Sequence, residues 1–149
     1  MRTAKQLLGD KGVSLVIKNC FCPQCKASTR TLRALPGNFK CADLICDFCG
    51  YLAQVKAVTV SDISVLKDSV LGAAWIPQKE RMDAGIFFPL FIVQVCGNKN
   101  SIFYLSADHQ TRQMFLPRKP LSAAARRAGW QGFMYDLTRV PKGALVRLK

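Results

Sequence analysis

The apolar positions in the first part of the chain predict one helix followed by a short strand. Residues 3–18 follow a helical pattern in which the apolar side chains fall on roughly one face. The residues on this face are Ala4, Leu7, Leu8, Leu15 and Val16. Gly9 and Gly12 each cost about 1 kcal/mol relative to Ala in a helix interior, but they permit another backbone to come close. A short strand is expected near Thr31–Leu35.

A β-hairpin is predicted next along the chain. Its first strand is Cys41–Ile45, its turn is Cys46–Gly50 and its return strand is Tyr51–Val58. A turn centred within that segment places Asp43 opposite Gln54 on the facing strand. The turn therefore determines which polar side chains of the hairpin meet.

The second half of the pattern predicts a further helix and two strands. Ser61 is a suitable N-cap for a helix that runs to Ala73 and ends at Trp75-Ile76-Pro77, and residues 77–85 are expected to form a polar loop. The remaining predicted elements are a buried strand at Leu90–Val95, a turn at 97–100, a strand at Ser101–Ser106 and a short helix at Ser122–Gly129. This order of elements predicts an α/β fold with a mixed sheet, in a single domain spanning residues 1–149.

The charge of the chain is strongly and unevenly basic. Lys and Arg number 22 against 9 Asp and Glu, which gives a net charge of +13. No acid lies between Asp10 and Asp43, and residues 112–149 carry nine basic residues against the single acid Asp136. A surface of this sign favours nucleic acid as the partner. A solvated basic surface kept for solubility is the alternative.

The hydropathy of the chain gives no sign of a membrane segment. The longest apolar run, Ile86–Val95, is too short to span a bilayer. The N-terminal residues show no apolar signal segment. We therefore expect a cytoplasmic protein without a membrane partner.

Four of the seven cysteines have the spacing of a structural zinc site. They form two Cys-x2-Cys pairs, Cys22 with Cys25 and Cys46 with Cys49. Two such pairs supply four thiolates for a tetrahedral Zn²⁺ with no open coordination position, which indicates a structural metal. A redox dithiol is the alternative, but it would leave the second pair without a role. The other three, Cys20, Cys41 and Cys96, are expected to be small buried residues.

Three polar residues of the predicted hairpin are candidates for chemistry. Asp43 offers a carboxylate and Gln54 an amide oxygen, and both are oxygen ligands of the kind Mg²⁺ accepts. Lys56 lies on the same strand face as Gln54 and could hold a water or stabilise negative charge in a transition state. The alternative is an ordinary polar outer face of a hairpin, since Asp-x10-Gln-x-Lys is a weak pattern by itself.

Three segments in the N-terminal half of the chain carry a pattern shared with a known family. They are Cys22-Pro23-Gln24-Cys25, Cys41-Ala42-Asp43-Leu44-Ile45-Cys46-Asp47-Phe48-Cys49 and Gln54-Val55-Lys56. Together they resemble the zinc-containing catalytic domain of DpnI-like restriction endonucleases, in the PD-(D/E)xK nuclease superfamily. The resemblance covers residues 3–75 and implies a restriction-endonuclease-like mixed sheet flanked by helices, with a four-Cys zinc ribbon inserted at 20–50. Residues 76–149 would complete the sheet and form a basic C-terminal extension.

The resemblance also implies roles for individual residues. Asp43 would be the metal-binding acid of the first motif, Gln54 and Lys56 would stand for the second, and Asp10 would be the extra acid that many members place on the first helix. Gln54 replaces the usual second acid, and Ala42 replaces the proline before Asp43. The lost charge should weaken ion binding unless Asp10 or a substrate phosphate compensates.

The C-terminal extension supplies candidate contacts to DNA. Basic side chains there would bind backbone phosphates and position a duplex without reading its sequence. The candidates are Arg118, Lys119, Arg126 and Arg127. Trp130, Phe133 and Tyr135 are nearby aromatic residues, for which core packing is favoured over contact with a base.

These observations lead to one favoured function and two alternatives. The favoured one is a zinc-stabilised, Mg²⁺-dependent DNA endonuclease of restriction or repair type. The first alternative is a non-catalytic zinc-ribbon protein that binds nucleic acid through a nuclease-like fold. The second is a zinc-ribbon module for protein interaction, which would be indifferent to DNA at physiological salt.

Overall fold

The computed structural model describes residues 2–39, 41–72, 75–118 and 133–149. Two α-helices and nine strands lie in these segments. In chain order they are α1 Ala4–Asn19, β1 Leu32–Ala34, β2 Leu44–Cys46, β3 Leu52–Thr59, β4 Ser69–Leu71, α2 Trp75–Asp83, β5 Leu90–Cys96, β6 Lys99–Leu105, β7 Phe115–Pro117, β8 Phe133–Asp136 and β9 Val146–Arg147. The predicted short helix at 122–129 lies outside the described residues, as do Lys119, Arg126, Arg127 and Trp130.

The strands form a six-stranded mixed sheet and a smaller sheet of three. The order in the large sheet is β1-β2-β3-β5-β6-β9, and that in the small sheet is β4-β8-β7. Strands β3 and β5 are parallel, whereas the other pairs are antiparallel. The prediction of an α/β fold with a mixed sheet is therefore confirmed.

Helix α1 covers one face of the large sheet. A capping box between Thr3 and Gln6 begins the helix. Gly12 and Val16 are its buried residues. The predicted apolar face is wrong at Ala4 and Leu7, which are exposed, Leu7 by 56%. The helix meets β3 through Gly12, because only a residue without a Cβ lets the two backbones come this close.

The central strand β5 divides the core into two clusters. Its Phe91 and Val93 pack with Val16 of α1, whereas Leu90 and Ile92 pack with residues of the small sheet. Alternate residues of a strand point to opposite faces, so the helix and the small sheet cover opposite faces of the large one. The prediction of a fully buried strand here is confirmed, since all residues from Leu90 to Val95 are buried.

The predicted helix from Ser61 to Ala73 is wrong. Residues 61–68 form turns, and β4 follows and pairs with β8. The buried side chain of Gln94 explains the difference: its oxygen accepts from the Lys67 N–H (3.0 Å), and its nitrogen donates to the Val65 carbonyl (2.9 Å). In a helix, the Lys67 N–H and the Val65 carbonyl would be hydrogen-bonded within the helix. Here the Gln94 side chain takes the place of those backbone partners.

The predicted polar loop at 77–85 is also wrong, because most of it belongs to α2. Pro77 is the third residue of this helix, where its missing N–H is not needed. An ion pair between Lys79 and Asp83 (2.7 Å) links neighbouring turns. The helix lies beside the hairpin, because Gln78 bonds to Gln54. No helix in the described part of the chain is long and apolar enough to cross a bilayer.

Candidate active site

The two predicted Cys-x2-Cys pairs come together in space. The four sulfur atoms of Cys22, Cys25, Cys46 and Cys49 all lie within 4.8 Å of one another. The Cys22–Cys49 and Cys25–Cys46 sulfurs are 3.7 and 3.8 Å apart. Zn–S bonds of about 2.3 Å in a tetrahedron place sulfurs about 3.8 Å from each other. The cluster therefore fits a metal such as zinc, whereas a disulfide would need sulfurs about 2.0 Å apart.

Hydrogen bonds to Cys46 favour its thiolate form. Burial raises the pKa of Cys46, but the Thr31 hydroxyl at 3.0 Å and the N–H groups of Cys49 and Phe48 outweigh this effect. The resulting pKa is about 6. Burial raises the pKa of Cys22 to about 12. Metal ions bind cysteine as the thiolate. The hydrogen bonds to Cys46 therefore favour the form of this residue that binds a metal.

The cysteine cluster connects the end of α1 to the turn between β2 and β3. Cys22 and Cys25 follow the helix directly, while Cys46 ends β2 and Cys49 lies in the turn. Leu44 pairs with Ala53 across the hairpin. The same register sets Asp43 opposite Gln54, as predicted, and the Asp43 N–H donates to the Ala53 carbonyl at 2.9 Å.

Asp43, Gln54 and Lys56 line one cavity of about 320 Å³. Cys41 and Gln78 are among the other residues that line it. One carboxylate oxygen of Asp43 accepts from the Val55 N–H (2.8 Å), which fixes the side chain against β3. The structure thus brings together the three residues that the sequence proposed for the hairpin.

The Gln54 side chain is buried and is held at both ends. The hydroxyl of Tyr135 donates to Gln54 Oε1 at 2.6 Å. Gln54 Nε2 donates to Gln78 Oε1 at 2.8 Å. The sequence pattern gives no role to Gln78 and favours core packing for Tyr135. Tyr135 is indeed buried among apolar residues, and the structure adds this polar contact.

The charge on Lys56 is opposed by its partly buried position. Desolvation lowers the pKa of Lys56, while the nearby carboxylate of Asp43 raises it and Lys5 lowers it further. A second anion near such an ammonium group would further stabilise its charged form. The cavity therefore offers one carboxylate, one amide and one cation within a partly dehydrated space.

Asp10 lies apart from this group. Its carboxylate pairs with Arg2 at 2.9 Å on the exposed surface, and it is not among the described residues that line the cavity. Of the predicted phosphate contacts, Arg118 is partly buried directly after β7, while Lys119, Arg126 and Arg127 lie outside the described residues.

The remaining cysteines and the single histidine differ in how deeply they are buried. Cys20 is buried as expected, whereas Cys41 and Cys96 are only partly buried. His109 is exposed in a short 3-10 turn, where its Nδ1 lies 3.0 Å from the Ser106 hydroxyl. None of them is part of the four-sulfur group.

The oxygen atoms at the cavity could hold a hard cation. Asp43 retains a second carboxylate oxygen, and Gln54 Oε1 has a second lone pair besides the one that Tyr135 uses. Carboxylate and amide oxygens are accepted by Mg²⁺, which commonly completes its shell with water and phosphate oxygens. With one carboxylate, this donor set carries less charge than one with two acids.

A comparison with known families agrees with this arrangement. Residues 11–148 match the family described as DpnI, the Dam-replacing family, which is restriction-endonuclease-like. The match includes both cysteine pairs and the hairpin with Asp43, Gln54 and Lys56. Membership points to a nuclease-type function and to DNA as the partner. On this match, which extends over nearly the whole chain, the protein belongs to the DpnI (Dam-replacing) family.

Proposed function

We propose that this protein is a DNA endonuclease that depends on Mg²⁺ and is stabilised by zinc at its four cysteines. The observation that carries the proposal is the shared cavity of Asp43, Gln54 and Lys56, on a hairpin whose turn belongs to the cysteine cluster. The family membership supports a nuclease. The net charge of +13 supports binding of a polyanion.

The reaction would be hydrolysis of a phosphodiester. A water oxygen forms a bond to phosphorus, the bond from phosphorus to one ester oxygen breaks, water loses a proton and the leaving oxygen gains one. When bound, Mg²⁺ neutralises developing charge and makes the attacking water more acidic. Asp43 and Gln54 would hold it through their side-chain oxygens.

Lys56 would act on the phosphate rather than on the ion. Its ammonium group lies in the same cavity as Asp43 and is partly withdrawn from bulk water. A cation in such a place stabilises the negative charge that builds up on the phosphate oxygens in the transition state. This role would account for a lysine at a position where burial disfavours its charge.

The test is cleavage of plasmid DNA, methylated at adenine and unmethylated, with Mg²⁺ or Mn²⁺. We expect nicked or linear product from the wild type. Asp43→Ala and Lys56→Met should each slow cleavage at least about 100-fold, as for loss of one group that stabilises a transition state. Asp47→Asn is the matched control, because Asp47 pairs with Arg33 outside the cavity. Undiminished cleavage by Asp43→Ala would overturn the assignment.

A second candidate function is nucleic-acid binding without cleavage. Gln54 favours it, because an amide in place of a second acid lowers the negative charge available to an ion. Such a protein would shift DNA in a gel, with log affinity falling linearly in log salt. It would not nick DNA with any divalent metal, and this result would replace the proposed endonuclease by a binding protein.

A further inference from the structure

A directional chain of hydrogen bonds ends at the candidate active site. It runs from the Tyr135 hydroxyl to Gln54 Oε1 (2.6 Å), and from Gln54 Nε2 to Gln78 Oε1 (2.8 Å). All three side chains are nearly inaccessible, with exposures of 1% for Tyr135, 5% for Gln54 and 4% for Gln78. Buried polar groups are almost always paired, so the direction of each bond constrains the next.

The direction of the chain is set at Tyr135. Within the described residues its hydroxyl makes no other hydrogen bond. A tyrosine hydroxyl carries one proton at neutral pH. That proton has to go to an acceptor, and Gln54 Oε1 is the acceptor within reach. The amide of Gln54 is therefore held with its oxygen toward Tyr135 and its nitrogen toward Gln78.

The last member of the chain has a donor left over. Gln78 accepts through Oε1, so its Nε2 is the remaining polar atom, and this atom makes no hydrogen bond to the described part of the chain. Gln78 lines the same cavity as Asp43 and Lys56. Among the described residues no fully buried side-chain nitrogen or oxygen lacks a partner, so the free Nε2 of Gln78 reaches into this cavity. An acceptor oxygen of a ligand in the cavity could bind it there.

We propose that Gln78 binds a phosphate oxygen of the DNA through its Nε2, and that Tyr135 and Gln54 orient it for this contact. The inference rests on the proposed function and adds to it a substrate-binding residue. Lys56 attracts the anionic phosphate, and the Gln78 amide supplies a directed N–H group beside it. Hydrogen bonds in a chain polarise one another, so the terminal donor is stronger than an isolated amide.

The test measures the affinity for a fluorescein-labelled DNA duplex by anisotropy, with Ca²⁺ in place of Mg²⁺ so that cleavage does not interfere. Gln78→Met removes the donor. Gln78→Glu keeps an acceptor for Gln54 Nε2 but presents a negative charge to the phosphate. A hydrogen bond to a charged group corresponds to a loss of about 10- to 100-fold in affinity. We expect a loss in this range for Gln78→Met and a larger one for Gln78→Glu.

Gln110→Met is the matched control. Gln110 is buried like Gln78, but its Nε2 is already bonded to the Phe88 carbonyl (2.7 Å), and it does not line the cavity. The control should be destabilised, as seen in its melting temperature, while its DNA affinity stays at the wild-type value. Equal losses of affinity in Gln110→Met and Gln78→Met would overturn the inference.

The positioning role of Tyr135 has its own measurement. Tyr135→Phe should weaken DNA binding in the wild-type background and have no further effect in Gln78→Met, because both changes act on one donor. A purely structural role would give the same loss in both backgrounds and would overturn the positioning role. If Gln78→Met does not fold, the effect of Tyr135→Phe is measured in the isosteric Gln78→Glu background instead.

The inference and the proposed function fail in different ways. Cleavage by the wild type together with unchanged binding by Gln78→Glu overturns the inference and leaves the endonuclease in place. Binding that depends on Gln78 without any cleavage upholds the phosphate contact and overturns the endonuclease. A wild type that does not bind the duplex overturns both.

Discussion

Two glycines of α1 provide a comparison between helix propensity and close packing against the sheet. A Cβ on Gly12 would lie 2.7 Å from the Cβ of Ala57 and 3.7 Å from its Cα, whereas a Cβ on Gly9 would meet nothing within 4 Å. Replacing each glycine by alanine makes the same chemical change in the same helix. Only the surroundings differ.

The magnitudes follow from these distances. Gly9→Ala should raise the free energy of unfolding by about 1 kcal/mol, the difference in helix propensity. Gly12→Ala gains the same helix propensity. It also adds a methyl group to the tightly packed interface between α1 and β3, which costs about 1–3 kcal/mol. The methyl group of Ala57 has no rotamer into which it can move away. We therefore expect Gly12→Ala to be less stable than Gly9→Ala by about 1–3 kcal/mol.

The assay is urea unfolding followed by circular dichroism, with zinc present throughout, and thermal unfolding as a second measurement. For a chain of 149 residues, a change of 1 kcal/mol corresponds to about 2–4 °C in Tm. Ala57→Gly added to Gly12→Ala should recover part of the loss, because it removes the clashing methyl group. A Gly12→Ala protein as stable as Gly9→Ala would refute the argument.

Two further predictions concern the cysteine cluster and the 61–68 segment. Cys46→Ser should bind less zinc than wild type and have a lower Tm, because structural zinc binding contributes to folding free energy; zinc content and calorimetry measure this, with Cys96→Ser as the unaffected control. Gln94→Leu should cost about 1–3 kcal/mol, because it leaves the Lys67 N–H and the Val65 carbonyl without their buried partner. Hydrogen exchange should then quicken in the 61–68 segment, and unchanged exchange would contradict the role given to Gln94.

The hairpin was predictable from sequence because its determinants are local. The Cys46-x2-Cys49 pair lies in the turn, and the register follows from the position of the turn. Strand alternation then places Gln54 and Lys56 on one face. These facts require no knowledge of the rest of the chain, which is why the sequence places Asp43 opposite Gln54 correctly.

The segment after β3 was not predictable in the same way. Ile63, Leu66, Val70 and Ala73 have helical spacing after the possible N-cap Ser61, so the local pattern favours a helix. The competing structure depends on Gln94, which lies 27 residues after Lys67. It also depends on β8, whose residues are 63 to 67 positions after the β4 residues with which they pair. Contacts between residues so far apart in sequence outweigh a weak local preference for a helix once they bury apolar surface. The hydrophobic pattern of the segment itself gives no information about these distant partners.

The partners of Gln54 at the candidate site, which the sequence did not identify, have an explanation that also holds for Gln94. Gln54 and Gln94 are amides inside strands whose other buried positions are apolar. A buried amide has to be paired, so the sequence implies that each has partners elsewhere, but the strand pattern does not identify them. For Gln54 the partners come from α2 and β8, 24 and 81 residues away. An amide within an apolar strand therefore indicates where a second layer of the fold contributes polar groups, and at Gln54 that layer reaches the candidate active site.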